Sequence, residues 1–338
     1  MRHIKLYLYL LAVVVALSVS HTTYALTLTP VRIEIQGDPG QTLVRPIELI
    51  NDQNTTITFY SSFSNFEAQG ESGNPAFTEP KSDLGTWMTL PQSITLAPHE
   101  SKKVDLAIRI PKDAYAGGHF AVAFFGTLPN TPSGNGGVGI GAKTGVLVLL
   151  SVNGDVLEAG GVSDFKLKDN KIFYNRLPVN FQYRFKNDGN DRVKPQGNII
   201  IHDAIYFPTA HVNGNPVSGN ILPHSTRLFD VEWIKNPRPD DYVPPTGFVK
   251  SFFDSALFQW KNFAIGPYVA TLDLVYGTQN VHVTRNVFFV VFPWQLLICL
   301  IVIIGCGFFV GKKLLQKYNQ YIIKKARAGM TPHDSVHE

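Results

Sequence analysis

The segment Val104-Asp-Leu-Ala-Ile-Arg-Ile110 places an apolar side chain at every second position. In an extended chain this period puts the apolar residues on one face and the polar residues on the other. The same period of two returns in the second half, in Val179-Asn-Phe-Gln-Tyr-Arg-Phe185. Strands of this length, bounded by turn-forming residues and without helical periodicity, indicate an antiparallel β-sandwich.

The sequence on both sides of these two segments continues the pattern. Further strands are expected at 31–35, 42–50, 55–63, 119–127, 144–152, 199–201, 227–233, 269–276 and 281–292. We expect 144–152 to pair back with 119–127, and 67–85 to be irregular because it is rich in Gly, Pro and Ser. The predicted fold is all-β: two tandem Ig-like antiparallel sandwiches, at 26–155 and 156–292.

A transmembrane helix is expected at 293–311, where Trp294–Gly311 holds one polar side chain, Gln295, in 18 residues. This length covers roughly the hydrocarbon core of a bilayer. Six Lys and Arg residues follow between Lys312 and Arg327. Cations concentrate on the cytoplasmic side, which predicts a single-pass, type I protein of the cell membrane with a basic cytoplasmic tail at 312–338 and an extracellular ectodomain.

The first 25 residues have the composition of a secretory signal. Arg2 and Lys5 precede the apolar run Leu6–Val19, and a small residue, Ala25, stands where cleavage is expected. We interpret 1–25 as a cleaved signal peptide. The alternative is a retained N-terminal anchor.

Charge and cysteine content exclude some classes of function. Residues 26–292 hold 22 Lys and Arg against 24 Asp and Glu, so the net charge of +4 comes from the two ends of the chain. A nucleic-acid partner is therefore not expected. Cys299 and Cys306, the two cysteines, both lie in the predicted membrane helix, so the ectodomain must fold without disulfides and has no thiol nucleophile.

Motifs for catalysis or for metal binding are missing from the sequence. The ten histidines are scattered, and neither an HExxH nor a GxSxG motif is present. No catalytic residue, cofactor or metal site is predicted. Asp188, Asn190 and Asp191 carry oxygen atoms that suit Ca²⁺, but the same residues suit a hairpin turn, which we favour.

An insertion at 235–265 carries the candidates for partner contact. Its prolines are followed by a short amphipathic helix pattern rich in aromatic rings: Phe248, Phe252, Phe253, Phe258, Trp260 and Phe263. These rings form either a patch that touches a partner or the membrane, or a cover over an open sheet edge. In the membrane helix, Gly307 and Gly311 form a GxxxG pattern that suits helix self-association, although small residues are common in such helices.

The order of these parts resembles the WxL-interacting proteins of Gram-positive surfaces. Motifs that carry the resemblance in the first, DUF916-like domain are Gly40-Gln-Thr, Ile47–Asn51, Leu90–Pro98, Val104–Lys112 and Ala116–His119. In the second domain they are Asn187–Asn190, Asn220–Pro223 and Gly266–Tyr268. The resemblance implies peptidoglycan binding by the first domain and binding of host or partner proteins by the second.

Three functions are consistent with the sequence. The first is a non-catalytic, membrane-anchored cell-surface protein that binds cell-wall peptidoglycan, a surface protein, or both. The second is a structural accessory subunit of an envelope complex, docking through the membrane helix and the insertion. The third is a hydrolase whose carboxylate pair no motif reveals.

Overall fold

A computed structural model describes residues 26–128 and 143–328. In this part of the chain, 18 strands and three helices form two compact units. The predicted signal peptide, most of the glycine-rich segment 128–142 and the end of the predicted tail lie outside the described residues.

The first unit comprises the chain up to Gly160 together with residues 186–193 and 220–227. Its elements are β1 (Leu26–Thr29), β2 (Arg32–Gly37), β3 (Thr42–Asn51), β4 (Ile57–Gln69), β5 (Asn74–Thr78), α1 (Leu84–Trp87), β6 (Met88–Thr89), β7 (Ser93–Leu96), β8 (Ser101–Arg109), β9 (Gly117–Gly126) and β10 (Lys143–Val152). One sheet has the order β1-β3-β8-β6. The other has the order β2-β10-β9-β4-β5, with β7 paired to β4.

The predicted pairing across the glycine-rich segment is confirmed. Strands β9 and β10 are antiparallel in a continuous register from Gly126↔Lys143 to Gly117↔Val152. On its other side β10 pairs with β2 in parallel, from Arg32↔Leu147 onward. Alternation of side chains predicts a strand but not the direction of its neighbour, so the antiparallel prediction missed this pair.

The prediction that 67–85 is irregular is wrong in part. Strand β4 continues to Gln69 and returns as β5, with Phe66 opposite Phe77. Gly70 and Gly73, at φ values of 59° and 78°, make the turn between them. Glycine adopts positive φ without steric cost, so the residues that suggested irregularity close a hairpin instead.

The core of the first unit lies between its two sheets. On β8, Val104, Leu106 and Ile108 are all buried, as their alternation predicts. Strand β9 differs, because nearly all its residues are buried. It lies inside its sheet, between β10 and β4, and its side chains are covered on both faces.

The second unit comprises residues 161–185, 194–219 and 228–338. Its elements are β11 (Gly160–Leu167), β12 (Phe173–Tyr174), β13 (Val179–Asn187), β14 (Gln196–His202), β15 (Pro208–Asn213), β16 (Thr226–Trp233), α2 (Phe248–Lys261), β17 (Gly266–Tyr276), β18 (Val281–Val291) and α3 (Trp294–Ala328). The sheets have the orders β11-β13-β16 and β12-β18-β17-β14-β15.

Aromatic side chains fill the core of the second unit. Phe181, Tyr183 and Phe185, on one face of β13, are fully buried. Trp233 from β16 packs edge-to-face against Phe289 of the opposite sheet, with ring centroids 5.8 Å apart. Large rings supply much buried apolar area per residue, which suits a unit of this size without a disulfide.

Two helices follow the predicted patterns. The amphipathic helix predicted within the insertion is α2. Among the described residues, α3 is long and apolar enough to cross a membrane. Almost none of its most apolar segment is buried. Its 35 residues extend about 52 Å, well beyond the predicted span. The basic segment that follows the span therefore continues the same helix.

Candidate functional site

A groove of about 550 Å³ opens on the first unit. Its walls come from the end of β4, the segment before α1, the start of β9 and the segment 222–225, which belongs to the same unit. The lining residues are Asn65, Phe66, Glu67, Ala68, Thr78, Glu79, Lys81, Ser82, Asp83, Tyr115, Gly118, Phe120, Leu222, Pro223, His224 and Ser225. The lining is mostly polar and includes two phenylalanine residues, Phe66 and Phe120.

Asp83 at this groove has a strained backbone. Its φ of 71° and ψ of −166° lie in a region that is otherwise used almost only by glycine. Such a conformation costs on the order of 1–3 kcal/mol and persists where the surrounding structure enforces it. Part of that enforcement is local, because Leu84 N–H donates to Asp83 Oδ1 at 2.8 Å.

His119 also supports Asp83. This β9 side chain is fully buried and its Nδ1 contacts the Asp83 carboxylate. Its Nε2 donates to the Tyr115 carbonyl at 2.9 Å, and its ring packs between Trp87 and Tyr115, with centroids 4.6 and 4.1 Å away. Both ring nitrogens are therefore engaged, so His119 positions Asp83 and does not itself reach the groove.

Tyr115 covers this pair from the solvent side. Its side chain is 61% exposed, while its hydroxyl donates to Asp83 Oδ2 at 3.3 Å. Partial burial of the hydroxyl, followed by the charge of Asp83 and this hydrogen bond, raises the pKa of Tyr115 to about 12.

The raised pKa of Tyr115 predicts how the first unit responds to alkaline pH. Because the folded-state pKa lies above the ordinary value of 10, the stability that the protonated hydroxyl contributes is complete below pH 10 and is lost as pH rises toward 12. The difference between tyrosinate absorbance titrations of the wild type and Tyr115→Phe should show one group with a midpoint near 12. In an Asp83→Asn background the same midpoint should fall. A difference curve centred at the ordinary value would contradict the assignment.

An amide side chain also holds the segment that contains Asp83. Asn65 Nδ2 donates to the Ser82 carbonyl at 2.6 Å, and its Oδ1 accepts from Gly85 N–H at 2.8 Å. These bonds join β4 to the segment before α1. Glu67, Glu79 and Lys81 are exposed along the same groove and present charged hydrogen-bonding groups to a ligand.

The hairpin turn predicted at 187–190 is wrong, because β13 and β14 lie in different sheets. The segment is a bend, and its polar groups serve the fold. Buried Asn187 donates from Nδ2 to the carbonyls of Asp191 and Ile221, at 2.7 and 2.9 Å. Asn190 Oδ1 accepts from Leu157 N–H at 2.7 Å. The Asp191 carboxylate contacts the Ser151 hydroxyl. These oxygens are committed to protein donors, and the described residues contain no cluster of three or more His, Cys, Asp or Glu side chains that could hold a metal ion.

The six candidate rings of the insertion divide into two sets. Phe252 contacts the Trp294 ring, with centroids 5.8 Å apart, and Phe258 lies beneath the Arg238 guanidinium at 4.4 Å. The other four are exposed: Phe248, Phe253, Trp260 and Phe263. The structure thus places two rings in contacts within the unit and leaves the others open to a partner.

Helix α2 is fixed to the start of α3 by a buried amide. Gln259 Nε2 donates to the Asn175 carbonyl at 2.9 Å and to the Gln295 side-chain oxygen. Its Oε1 accepts from Leu296 N–H at 2.9 Å. The first N–H groups of a helix lack partners within the helix, so Gln259 satisfies one of them.

Gly307 and Gly311 lie on α3, where an added Cβ would meet nothing within 4 Å. The surface of α3 at these two glycines is therefore accessible to another helix. Self-association of α3 remains a prediction.

The polar cluster at the groove was missed from the sequence. Asp83 and His119 are 36 residues apart and lie on different elements, so no local spacing joins them. One signal was available: His119 interrupts the apolar run of β9. A histidine inside such a run is buried, and a buried histidine requires polar partners.

No protein-family model matches this chain, and no curated protein is similar to it in sequence. Solved structures match it at low identity and with TM-scores below 0.4. The class 5 fimbriae chaperone CfaA matches with a TM-score of 0.38 and 10% identity over 80% of this chain and 100% of its own. The E. coli chaperone DraB matches with 0.33 and 12% over 79% and 97%. The ASH/PapD-like domain of human CEP192 matches with 0.27 and 17% over 40% and 96%.

The two units themselves define the class of protein. The chain is mostly β, with Ig-like sandwich units and one C-terminal apolar helix. Likeness at these TM-scores concerns the fold and does not bear on what the chain binds.

Proposed function

We propose that this chain is a non-catalytic cell-surface binding protein, anchored in the membrane by α3, whose first unit holds a glycan strand of cell-wall peptidoglycan in its groove. The observation that carries the proposal is the groove built around Asp83. A strained aspartate, held in place by a buried histidine, is a costly arrangement. Such arrangements cluster at ligand sites, where they orient a polar group before the ligand arrives.

The chemistry of the lining favours a hydroxyl- and amide-rich ligand. The exposed side chains of Glu67, Glu79 and Lys81 supply charged acceptors and a cationic donor. Phe66 and Phe120 add two aromatic rings to the lining. Sugars present hydroxyl groups at their edges and apolar C–H groups on their faces, which matches both kinds of surface. The resemblance of the first domain to peptidoglycan-binding WxL-interacting proteins points to the same ligand.

The geometry supports binding more than catalysis. A general base must reach the proton that it removes. His119 is the histidine in contact with a carboxylate at the groove, and it is fully buried with both nitrogens engaged. The raised pKa of Tyr115 keeps its hydroxyl protonated at neutral pH, which makes it a poor nucleophile.

Binding to the wall is tested with the full-length protein in detergent micelles and purified peptidoglycan. We expect co-sedimentation of the wild type and a loss of about 100-fold or more in affinity for the double variant Lys81→Ala, Glu79→Gln, because each of the two lost charged hydrogen bonds removes roughly 1.5–3 kcal/mol. Lys102→Ala, an exposed change on β8, is the matched control and should bind as the wild type does.

Two results would overturn this assignment. Equal retention of the wild type and the groove variant would place any wall contact elsewhere. Release of soluble fragments from the peptidoglycan by the wild type, but not by Glu67→Gln, would identify the groove carboxylates as a hydrolase site.

The alternative function is an accessory subunit of an envelope complex. The open face of α3 at Gly307 and Gly311 favours it, because small residues let helices approach closely. A crosslinkable residue at Phe258 or Gly307 that yields one specific membrane partner, in protein that does not sediment with peptidoglycan, would support this alternative.

A further inference from the structure

Helix α2 contacts the beginning of α3. Phe252 and Gln259, seven residues apart and so about 10 Å apart on the α2 axis, contact Trp294 and Leu296. Those two residues span only about 3 Å of the α3 axis. Helix α2 therefore lies beside the first turn of α3, at the outer end of the predicted membrane span.

Four exposed apolar side chains form a stripe on α2: Val249, Phe253, Leu257 and Trp260. At about 100° per residue they fall within an arc of about 80° that adjoins the face in contact with α3. Each is at least 55% exposed, and Lys250 and Lys261 border the stripe. A lysine at such a border extends its charged end toward water or phosphate groups while its stem covers apolar surface.

Further apolar side chains are exposed at the start of α3 and directly after α2. Phe292 and Trp294 at the start of α3, and Phe263 and Ile265 after α2, are 40–56% exposed. A tryptophan at the end of a membrane span belongs at the headgroup level. The α2 stripe is therefore continuous with the surface that enters the bilayer.

We propose that α2 is an interfacial helix, seated in the outer leaflet of the bilayer that α3 spans, with the stripe at the boundary between headgroups and acyl chains. The partner of the exposed rings is lipid. The inference rests on the membrane anchoring in the proposed function and is independent of wall binding. An amphipathic helix with large apolar residues on one face and lysines beside them is suited to this position.

Single-cysteine labelling of the full chain in vesicles tests the placement. In a Cys299→Ser, Cys306→Ser background, an environment-sensitive dye is placed at Phe253→Cys in the stripe, at Ser251→Cys on the opposite face of α2, and at Ile303→Cys in α3. Vesicles contain phosphatidylcholine and phosphatidylglycerol, with or without doxyl-labelled lipid. We expect quenching by doxyl lipid at position 253 to be several-fold stronger than at 251, with strong quenching at 303.

The three labelled positions distinguish the possible results of this experiment. Quenching at 303 with none at 253 overturns the interfacial helix and leaves the anchor intact, whereas no quenching at any position overturns the anchor itself. Blue-shifted emission at 253 without lipid quenching also overturns the proposal, because it shows that protein, either a second copy or another partner, covers the stripe.

Discussion

His119→Ala is expected to destabilise the first unit by about 3–5 kcal/mol, among the largest effects of any single change in the chain. The side chain is fully buried, so its removal leaves a cavity between Trp87 and Tyr115. It also removes the partner of a half-buried carboxylate, Asp83, whose strained backbone then loses one of its supports. Binding at the groove should be lost together with the stability.

Hydrogen exchange of the full-length protein in micelles measures this effect unit by unit. Amides of β9 and β10 should lose more than 100-fold in protection, since each factor of ten corresponds to about 1.4 kcal/mol. His211→Ala, an exposed histidine on β15, is the control and should change exchange little. If His119→Ala matches that control, the buried cluster has no supporting role.

The corresponding change in the second unit is Trp233→Ala, with an expected cost of about 3–5 kcal/mol. Trp233 is 2% exposed, and its ring packs against Tyr268 and Phe289, with centroids 5.4 and 5.8 Å away. Truncation removes these contacts and leaves a void that the two facing sheets cannot close. Exchange should accelerate in β13, β16 and β18, while the first unit keeps its protection.

Trp233→Phe provides the matched control for that variant. The indole N–H has no hydrogen-bond partner among the described residues, so phenylalanine loses volume but no hydrogen bond. Its cost should be clearly smaller than that of alanine. Equal costs would mean that the six-membered ring, which phenylalanine keeps, does not stabilise the core by its packing.

The alternation of apolar residues was sufficient to predict most of the fold. Val104, Leu106 and Ile108, and likewise Phe181, Tyr183 and Phe185, point into their cores as the period of two requires. The pattern did not reveal β15, because most of its residues are exposed and so show no apolar alternation. Nor did it reveal the parallel pairing of β2 with β10, which is decided by contacts far apart in sequence.

The groove was harder to predict than the fold. Asp83 takes its role from a backbone conformation and from a partner 36 residues away, neither of which a sequence pattern records. The motifs that carry the resemblance include residues with structural roles, but the sequence alone does not reveal those roles. Asn51, at the end of Ile47–Asn51, is fully buried and donates to the carbonyls of Thr55 and Ala97 at 2.8 and 2.9 Å, so it stabilises loops of the unit and contacts no groove.

The junction at the end of β18 also has a mechanical consequence. Only Phe292 and Pro293 separate that strand from α3, and β18 is bonded to β17 along eleven consecutive register pairs. A force applied to the membrane helix therefore acts directly on the sheet, because no flexible linker separates α3 from β18. The force is distributed over the pairing between β17 and β18. If the ectodomain holds the cell wall, movement of the wall against the membrane reaches the second unit as tension on β18.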